Sequence, residues 1–396
     1  MLRLLAPVSL LGLAACASVP AEAPPPPHVA YAWATFDADG IRRTGASGMA
    51  DRAAGREITI DDPARIASIT KLVLALGAMR LVEQGKLDLD RDVSDYLGWP
   101  LRNPAFPDEP ITLRQLLSHR SSLRDEVDYI IPLGGTVRGT VADPRAFDPE
   151  HRPGSHFRYS NLGFPVVATA MEAAAGERFD LLMERLVLKP LGLDACFNWT
   201  GCSDAGVATA VVLYEPNGMP LRDDNKGRRP DCPVVPAADG GCDWRAIPLG
   251  VNAGIFSPQG GLRISVRDLA KIGQMLLRDG RLPTGEQLLE PASIAEMTRL
   301  HWLLDGANGE SEEGFYCGYG LAVQVLAQCA PGDDPFGDGR RRVGHAGDAY
   351  RLRSGLWVDP GRGTGVAYLA TGIALDAPTG RSAYRTIEEW LAARGR

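Results

Sequence analysis

Residues 61–85 read DDPARIASITKLVLALGAMRLVEQG, and this stretch decides how the rest of the chain is interpreted. Two aspartates followed by a proline at 61–63 are typical of a helix start, because proline tolerates the first helical turn. Residues 72–82 are apolar on nearly every side, which is typical of a buried helix, and Gly85 can serve as its C-cap. The stretch therefore predicts one buried helix over residues 61–85.

Ser68 and Lys71 stand three residues apart in this helix, on one face and about one turn apart. Burial disfavours an ammonium, and the positive end of the helix dipole acts in the same direction. The amine of Lys71 can then accept the proton of the Ser68 hydroxyl near neutral pH. Arginine does not deprotonate in proteins, and only five of the 42 basic residues here are lysines. The alternative is a surface serine beside a lysine whose stem covers apolar surface.

Length and composition are those of a large globular protein with one domain or two interleaved ones. The chain has 396 residues, of which 45% are hydrophobic, and this is ample for a core. The net charge of −7 is mild and no basic stripe is present, which argues against a nucleic acid partner. No cofactor motif is present, and the acids of residues 88–92 lack the glycine and glutamate that a calcium loop requires. Neither a cofactor nor a metal is expected.

Residues 1–15 are predicted to be a signal peptide. Arg3 provides a positive start, and residues 4–13 form an apolar segment too short to span a bilayer. The tetrapeptide Leu-Ala-Ala-Cys that ends at Cys16 resembles the lipobox of bacterial lipoproteins, in which the cysteine is lipidated and becomes the new N-terminus. Residues 16–27 would then be a proline-rich tether on the periplasmic side of the outer membrane. The alternative is an ordinary cleaved signal with an incidental cysteine.

The six other cysteines fall into three sequence-local pairs, which agrees with an exported protein. The predicted disulfides are Cys196–Cys202, Cys232–Cys242 and Cys317–Cys329. A zinc site is the competing interpretation, but the Cys-x-x-Cys spacing typical of such sites is missing.

Two further stretches contain polar groups suited to chemistry. Tyr159 and Asn161 lie two residues apart, after a Pro-Gly turn and before an apolar helix predicted over 166–175. A phenol can transfer a proton, and an amide can both donate and accept hydrogen bonds. Residues 344–347, Gly-His-Ala-Gly, precede two predicted strands. Taken singly, each stretch also fits a structural role, as do His119, His151 and His156.

In order along the chain, Ser68-Ile69-Thr70-Lys71, Tyr159-Ser160-Asn161 and His345-Ala346-Gly347 resemble the three motifs of the serine β-lactamase and penicillin-recognising hydrolase superfamily. The resemblance is to its class C-like branch, which includes D-Ala-D-Ala carboxypeptidases, D-aminopeptidases and esterases. It covers nearly all of residues 28–396. No Gly-x-Ser-x-Gly elbow is present, which counts against an α/β-hydrolase.

The resemblance implies an α/β (α+β) fold, β-lactamase/DD-peptidase-like, in which helices flank an antiparallel sheet. Residues 28–396 would form the serine hydrolase domain. Its sheet subdomain would comprise residues 28–85 and 250–396, and residues 86–249 would be an inserted, mostly helical subdomain. The active site would lie where the two meet.

The resemblance also assigns roles to residues. Ser68 would be the nucleophile, Lys71 its partner and Tyr159 the general acid/base. The substrate-binding residues would be Asn161, His345, Gly347 and Asp348. The backbone N–H groups of Ser68 and Asp348 would form the oxyanion hole.

Two positions depart from the family pattern. β-Lactamases of this branch carry Lys-Thr-Gly where this chain has His345-Ala346-Gly347, and the usual Thr-Ser-Gly-Leu is Arg120-Ser121-Ser122-Leu123. We expect a lipid-anchored serine hydrolase acting through an acyl-enzyme on small or peptidoglycan-derived esters or amides, of esterase or D-amino-acid peptidase type. The alternatives are a class C-like β-lactamase and a penicillin-binding or peptidoglycan-sensing protein with little turnover.

Overall fold

The computed structural model describes residues 24–396, so the predicted signal peptide, Cys16 and the first part of the tether lie outside the described residues. The strands are β1 Ala30–Asp37, β2 Ile41–Asp51, β3 Arg56–Glu57, β4 Ala64–Arg65, β5 Cys196–Phe197, β6 Leu213–Tyr214, β7 Pro220–Arg222, β8 Leu262–Ile264, β9 Trp302–Leu303, β10 Gly318–Tyr319, β11 Gln324–Val325, β12 Val343–Ala349, β13 Leu352–Asp359 and β14 Thr364–Thr371. The helices are α1 Ile69–Glu83, α2 Ser94–Leu97, α3 Leu113–Leu117, α4 Val137–Val141, α5 Gly163–Ala175, α6 Phe179–Met183, α7 Asp204–Ala208, α8 Val266–Leu277, α9 Pro291–Thr298 and α10 Thr386–Ala392.

Nine of these strands form one antiparallel sheet in the order β3-β2-β1-β14-β13-β12-β11-β10-β9. Side chains alternate between the two faces of a strand. Leu356 accordingly faces α8, where Gly273 leaves room for it, while Trp357 packs in the cluster that contains Ile387 of α10. Helices therefore cover both faces, which confirms the predicted fold class. The division into two subdomains stays a prediction.

Helix α1 begins at Ile69, so the prediction that it starts at residue 61 is wrong. Ala64 and Arg65 instead pair with β8 as strand β4. The chain then turns sharply at Ala67, whose φ of 50° lies in the left-handed region, and Ser68 becomes the N-cap. The C-terminal end and the burial of the helix agree with the prediction, because all its residues up to Met79 are buried.

Tyr319, Leu321, Val323 and Val325 alternate with other residues in the sequence, which predicts one strand over 319–325. The structure instead has two short strands there. β10 and β11 are joined by a tight turn in which Ala322 has a φ of 54°. The Ala322 N–H donates to the carbonyl oxygen of Leu117 at 2.7 Å, which attaches this turn to α3. A local period of two cannot distinguish a single strand from a short hairpin, because both place alternate residues on one face.

The three predicted disulfides are present. They join Cys196 to Cys202, Cys232 to Cys242 and Cys317 to Cys329. Within residues 24–396, no helix combines the length and the apolar character needed to cross a bilayer.

Candidate active site

Ser68 lies at the N-terminus of α1 and contacts Lys71 on the first turn. Lys71 Nζ donates to Ser68 Oγ at 2.9 Å, to Asn161 Oδ1 at 2.8 Å and to the carbonyl oxygen of Gln259 at 2.8 Å. The last two partners are oxygens that can only accept. A neutral Lys71 can therefore keep both of those bonds and present its lone pair to the Ser68 hydroxyl.

The environment of Lys71 favours that neutral form. The residue is completely buried, and burial lowers its pKa to about 7, while the carboxylate of Asp125 acts in the opposite direction. The position of Lys71 in the first turn adds the unfavourable interaction of an ammonium with the positive helix end. A substantial fraction of Lys71 is thus neutral at physiological pH.

Asp125 organises the turn that contains Asn161. Its carboxylate accepts hydrogen bonds from Ser160 Oγ, from the N–H groups of Asn161 and Leu162, and from Asn161 Nδ2, at 2.8–3.0 Å. The Asn161 amide is therefore fixed between Asp125 and Lys71. Sequence reasoning missed Asp125, because it lies in a loop without periodicity or spacing that would single it out.

Tyr159 is held between two rings. Its ring stacks on Tyr316 with centres 4.9 Å apart, and His119 lies on it with centres 4.2 Å apart. Burial raises the pKa of Tyr159, and the nearby Ser68 only partly opposes this, so the phenol stays protonated. Its Oη is buried and makes no hydrogen bond of normal geometry within the described part of the chain. The phenol is available as a proton donor.

His345 is predicted to bind substrate, but its side chain is buried and turned toward Tyr319, and its role in substrate binding stays a prediction. It is 1% exposed, and its Nε2 accepts from Tyr319 Oη at 2.7 Å while its Nδ1 donates to the Ala346 carbonyl oxygen. Tyr319 Oη in turn accepts from Nε2 of His119 at 3.1 Å, and His119 Nδ1 accepts the Ser160 N–H at 3.0 Å. Burial lowers the pKa of His345 to about 3, so it is neutral. Both histidines thus belong to one buried hydrogen-bond network centred on Tyr319.

Gly347 of β12 packs against the backbone that immediately precedes Ser68, and Asp348 follows it in the strand. A Cβ on Gly347 would lie 2.3 Å from the Ile66 carbonyl oxygen and 3.3 Å from Ala67 Cβ, so only glycine permits this approach. The Ala346 N–H donates to Gln324 Oε1, on the side of β12 away from β13. Since N–H directions alternate along a strand, the Asp348 N–H points the same way, beyond the end of β11.

A cavity of about 990 Å³ opens beside these groups, and Ser68, Tyr159, Asn161, Gly347 and Asp348 line it. The His345 side chain does not.

The arginines that follow the third motif differ in position. Arg353 lines the cavity and pairs with Asp348 at 2.5 Å. Arg351 belongs to the turn between β12 and β13 and pairs with Glu215 at 2.7 Å. The negative charge of Asp348 is therefore compensated by Arg353 inside the cavity, whereas the positive charge of Arg351 is compensated by Glu215.

Substituting Asp125 with asparagine is expected to lower the free energy of unfolding by about 2–4 kcal/mol, because buried donors lose their acceptor. It should also shift the acid limb of the kcat/KM profile to lower pH, because the carboxylate raises the pKa of Lys71. Urea denaturation and an ester-hydrolysis pH profile measure the two effects. Glu126→Gln, which alters the neighbouring, largely exposed acid, is the control. Unchanged stability and an unchanged profile would contradict this role of Asp125.

The antiparallel sheet with helices on both faces and a cavity at the N-terminus of a buried helix defines the fold of penicillin-binding proteins and β-lactamases. The chain belongs to the β-lactamase family, since the family model described as "Beta-lactamase" matches residues 28–387.

The curated proteins that are similar to this chain include hydrolases of different kinds. Esterase EstB of Burkholderia gladioli is 34% identical over 171 residues, which are 38% of this chain and 42% of the esterase. The D-alanyl-D-alanine-carboxypeptidase/endopeptidase AmpH of Escherichia coli K12 is 33% identical over 146 residues, 34% of this chain and 36% of that protein. The matches thus span only about two fifths of each curated relative.

Among solved structures, EstCE1, described as a hydrolase with promiscuous acyltransferase activity, is similar over most of the fold. It has a TM-score of 0.66 and 25% identity, and the match covers 93% of this chain and 94% of EstCE1.

Proposed function

We propose that this protein is a serine hydrolase that acts through an acyl-enzyme on esters or amides, with Ser68 as nucleophile and Lys71 as its base. The observation that carries the proposal is the 2.9 Å contact between Ser68 Oγ and the Nζ of a completely buried lysine. Relatives named as an esterase and a D-alanyl-D-alanine carboxypeptidase support this reaction class.

Acylation begins when neutral Lys71 takes the proton of the Ser68 hydroxyl. Ser68 Oγ then forms a bond to the carbonyl carbon of the substrate, and the carbonyl electrons move to oxygen. The resulting oxyanion lies between the N–H groups of Ser68 and Asp348, and each such donor is worth about 3–4 kcal/mol in the transition state. The Asp348 N–H points away from β13 and beyond the end of β11, as inferred from the Ala346 N–H on the same side of the strand, and this direction supports the assignment.

Collapse of the tetrahedral intermediate breaks the bond to the leaving group. Tyr159 donates its phenolic proton to that group, and the proton on Lys71 replaces it. Burial raises the pKa of Tyr159, and its Oη has no hydrogen bond of normal geometry within residues 24–396; both observations support the role of acid rather than first base. In deacylation, a water molecule gives a proton to Lys71 while its oxygen attacks the acyl carbon. Collapse of this second intermediate breaks the bond between Ser68 Oγ and the acyl carbon, and Ser68 Oγ takes the proton back from Lys71 as the acid leaves.

The third motif supports a substrate without a carboxylate at the position where β-lactams carry theirs. Lys-Thr-Gly would offer an ammonium and a hydroxyl there. In this chain His345 is neutral and faces the interior, Ala346 has no hydroxyl, and Arg353 is already paired with Asp348. We therefore propose good hydrolysis of short-chain esters or amides and poor hydrolysis of penicillins and cephalosporins.

The expected result is a higher kcat/KM for 4-nitrophenyl butyrate than for a chromogenic cephalosporin, measured in one buffer at pH 7.5. The missing charge-assisted hydrogen bond alone lowers affinity for the cephalosporin roughly 10- to 150-fold. A cephalosporin value near about 10⁶ M⁻¹s⁻¹, typical of efficient enzymes, with negligible esterase activity would replace this proposal with the β-lactamase function. Slow labelling by a fluorescent penicillin without turnover of either substrate would favour the penicillin-binding alternative.

We also propose that Cys16 is lipidated and anchors the enzyme to the periplasmic side of the outer membrane. The support is the sequence alone: the lipobox-like residues 13–16 and the prolines that follow them. In bacterial cells, wild-type protein should incorporate labelled palmitate and sediment with outer-membrane vesicles. Cys16→Ser should do neither. Palmitate incorporation that persists in Cys16→Ser would contradict the anchor.

A further inference from the structure

Three arginines in one part of the cavity wall face a single carboxylate. Arg65 and Arg263 are register partners across β4 and β8, and they are 7% and 2% exposed. Both bind Asp223, through Arg65 Nε at 3.2 Å and an Arg263 terminal nitrogen at 2.8 Å. Arg222 precedes Asp223 in the chain and also lines the cavity. Asp223 thus pairs with two buried arginines, and neither of its carboxylate oxygens pairs with Arg222.

Arg222 is the cation available to a ligand. It is exposed at the end of β7, and its guanidinium carbon lies 5.1 Å from the centre of the Tyr350 ring. The guanidinium carbon of Arg65 lies 5.2 Å from the centre of the same ring. Within residues 24–396, the Arg222 side chain makes no ion pair or hydrogen bond. Among the described residues, the cation–π contact with Tyr350 is therefore the interaction that holds this charge at the cavity.

Burial makes this excess of positive charge costly. The pKa of Arg263 is lowered to about 9 by burial and by the charges of Arg65 and Arg222, and Asp223 compensates only in part. The Nε of Arg263 is buried without a partner among the described residues. A cation removed from water is stabilised when an anion approaches it. This part of the wall favours an anionic ligand.

The other acids at the cavity do not supply that anion. Asp348 pairs with Arg353, and Glu215, near Tyr350, pairs with Arg351. Glu312, Glu313 and Glu388 also line the cavity, but none of them is among the groups that act on Arg263. Glu312 acts on Tyr159, and Glu388 is influenced by Arg353.

We infer that the arginine cluster of Arg65, Arg222 and Arg263 binds a carboxylate on the acyl part of the substrate, so that acidic acyl groups are preferred over neutral ones. This inference rests on the proposed function. In the proposed mechanism the leaving group accepts a proton from Tyr159, and the acyl group is bound to Ser68. Arg65 belongs to β4, the strand that immediately precedes Ser68 in the chain, so we assign the cluster to the acyl side. Arg65 lies three residues before Ser68, so their Cα atoms are at most about 11 Å apart, and the three arginines line the same cavity as Ser68. Guanidinium groups match a carboxylate bidentately.

Two esters with acyl chains of equal length test the inference: mono-4-nitrophenyl adipate and 4-nitrophenyl hexanoate. After subtraction of the buffer rates, wild-type enzyme should show a kcat/KM at least about tenfold higher for the adipate ester. Arg222→Gln should lower the adipate value about tenfold and the hexanoate value by much less. High salt should reduce the ratio of the adipate kcat/KM to the hexanoate kcat/KM in wild type, since the charge of the exposed Arg222 is screened.

Arg228→Gln is the matched control, because this exposed arginine of the same loop does not line the cavity. It should behave like wild type with both esters. No preference in wild type, or an unchanged ratio in folded Arg222→Gln, would overturn the arginine site while hexanoate turnover still supports the hydrolase. Hydrolysis of neither ester by wild type would overturn the proposed function, and this inference with it.

Discussion

Ser68→Ala is expected to abolish both ester hydrolysis and covalent labelling by a fluorescent fluorophosphonate. The reason is that Ser68 Oγ is the hydroxyl in contact with Lys71. The fold should remain intact, because the Ser68 side chain makes no capping hydrogen bond to α1. In-gel fluorescence, 4-nitrophenyl butyrate turnover and thermal unfolding measure these three properties.

Ser155→Ala provides the control for this substitution. Ser155 is exposed in a loop and bonds only to the Arg152 carbonyl oxygen among the described groups. It should be labelled and active like wild type. Labelling that survives in Ser68→Ala would show that another side chain is the nucleophile.

Replacement of Lys71 is expected to have the second largest effect. Lys71→Ala should lower kcat/KM at least about 100-fold, the usual scale for an acid/base group. Lys71→Arg should be equally poor, because a guanidinium does not deprotonate in proteins. In wild type the active form of Lys71 is the neutral amine. The kcat/KM should therefore rise with pH through about 7 and level off above it.

The pH profile and one control variant test this account of Lys71. Lys86→Ala alters an exposed lysine just beyond α1 and should leave the profile unchanged. A flat profile across the pH range around 7, or near-wild-type rates in Lys71→Arg, would contradict a neutral lysine base.

Local sequence was sufficient to predict the contact between Ser68 and Lys71 and the direction of the pKa change. A spacing of three places both residues on one helix face whatever surrounds the helix. Apolar residues on every side of 72–82 imply burial, and burial lowers the pKa of a lysine. The structure agrees on both points.

Contacts between distant segments could not be predicted in this way. The start of α1 is decided by the pairing of Ala64 with Ile264, which withdraws residues 64–65 into a strand. Asp125 acts on residues about 35 positions later, and no local pattern signals that contact. At the start of α1, strand pairing between distant segments overrides a local helix signal. At Asp125, a contact between distant segments adds a site residue that no local sequence pattern indicates.

His345 and Ser122 illustrate an intermediate case. Strand alternation predicts that His345 and Ala346 face opposite sides, but only the packing shows that the histidine faces Tyr319. At Ser122 the family pattern has a glycine, and the loss of that glycine bears on the local backbone conformation. The structure has a φ of 62° there, so serine occupies a left-handed conformation that glycine adopts more readily.

Direct location of the acyl group tests the central claim most sharply. Rapid acid quench during turnover of 4-nitrophenyl butyrate, followed by proteolysis and mass spectrometry, reports where the butyryl group resides. We predict one butyryl group on the peptide that contains Ser68, attached to that serine and lost as turnover proceeds. A butyryl group on a different side chain, or single-turnover hydrolysis with no acylated peptide, would contradict the account.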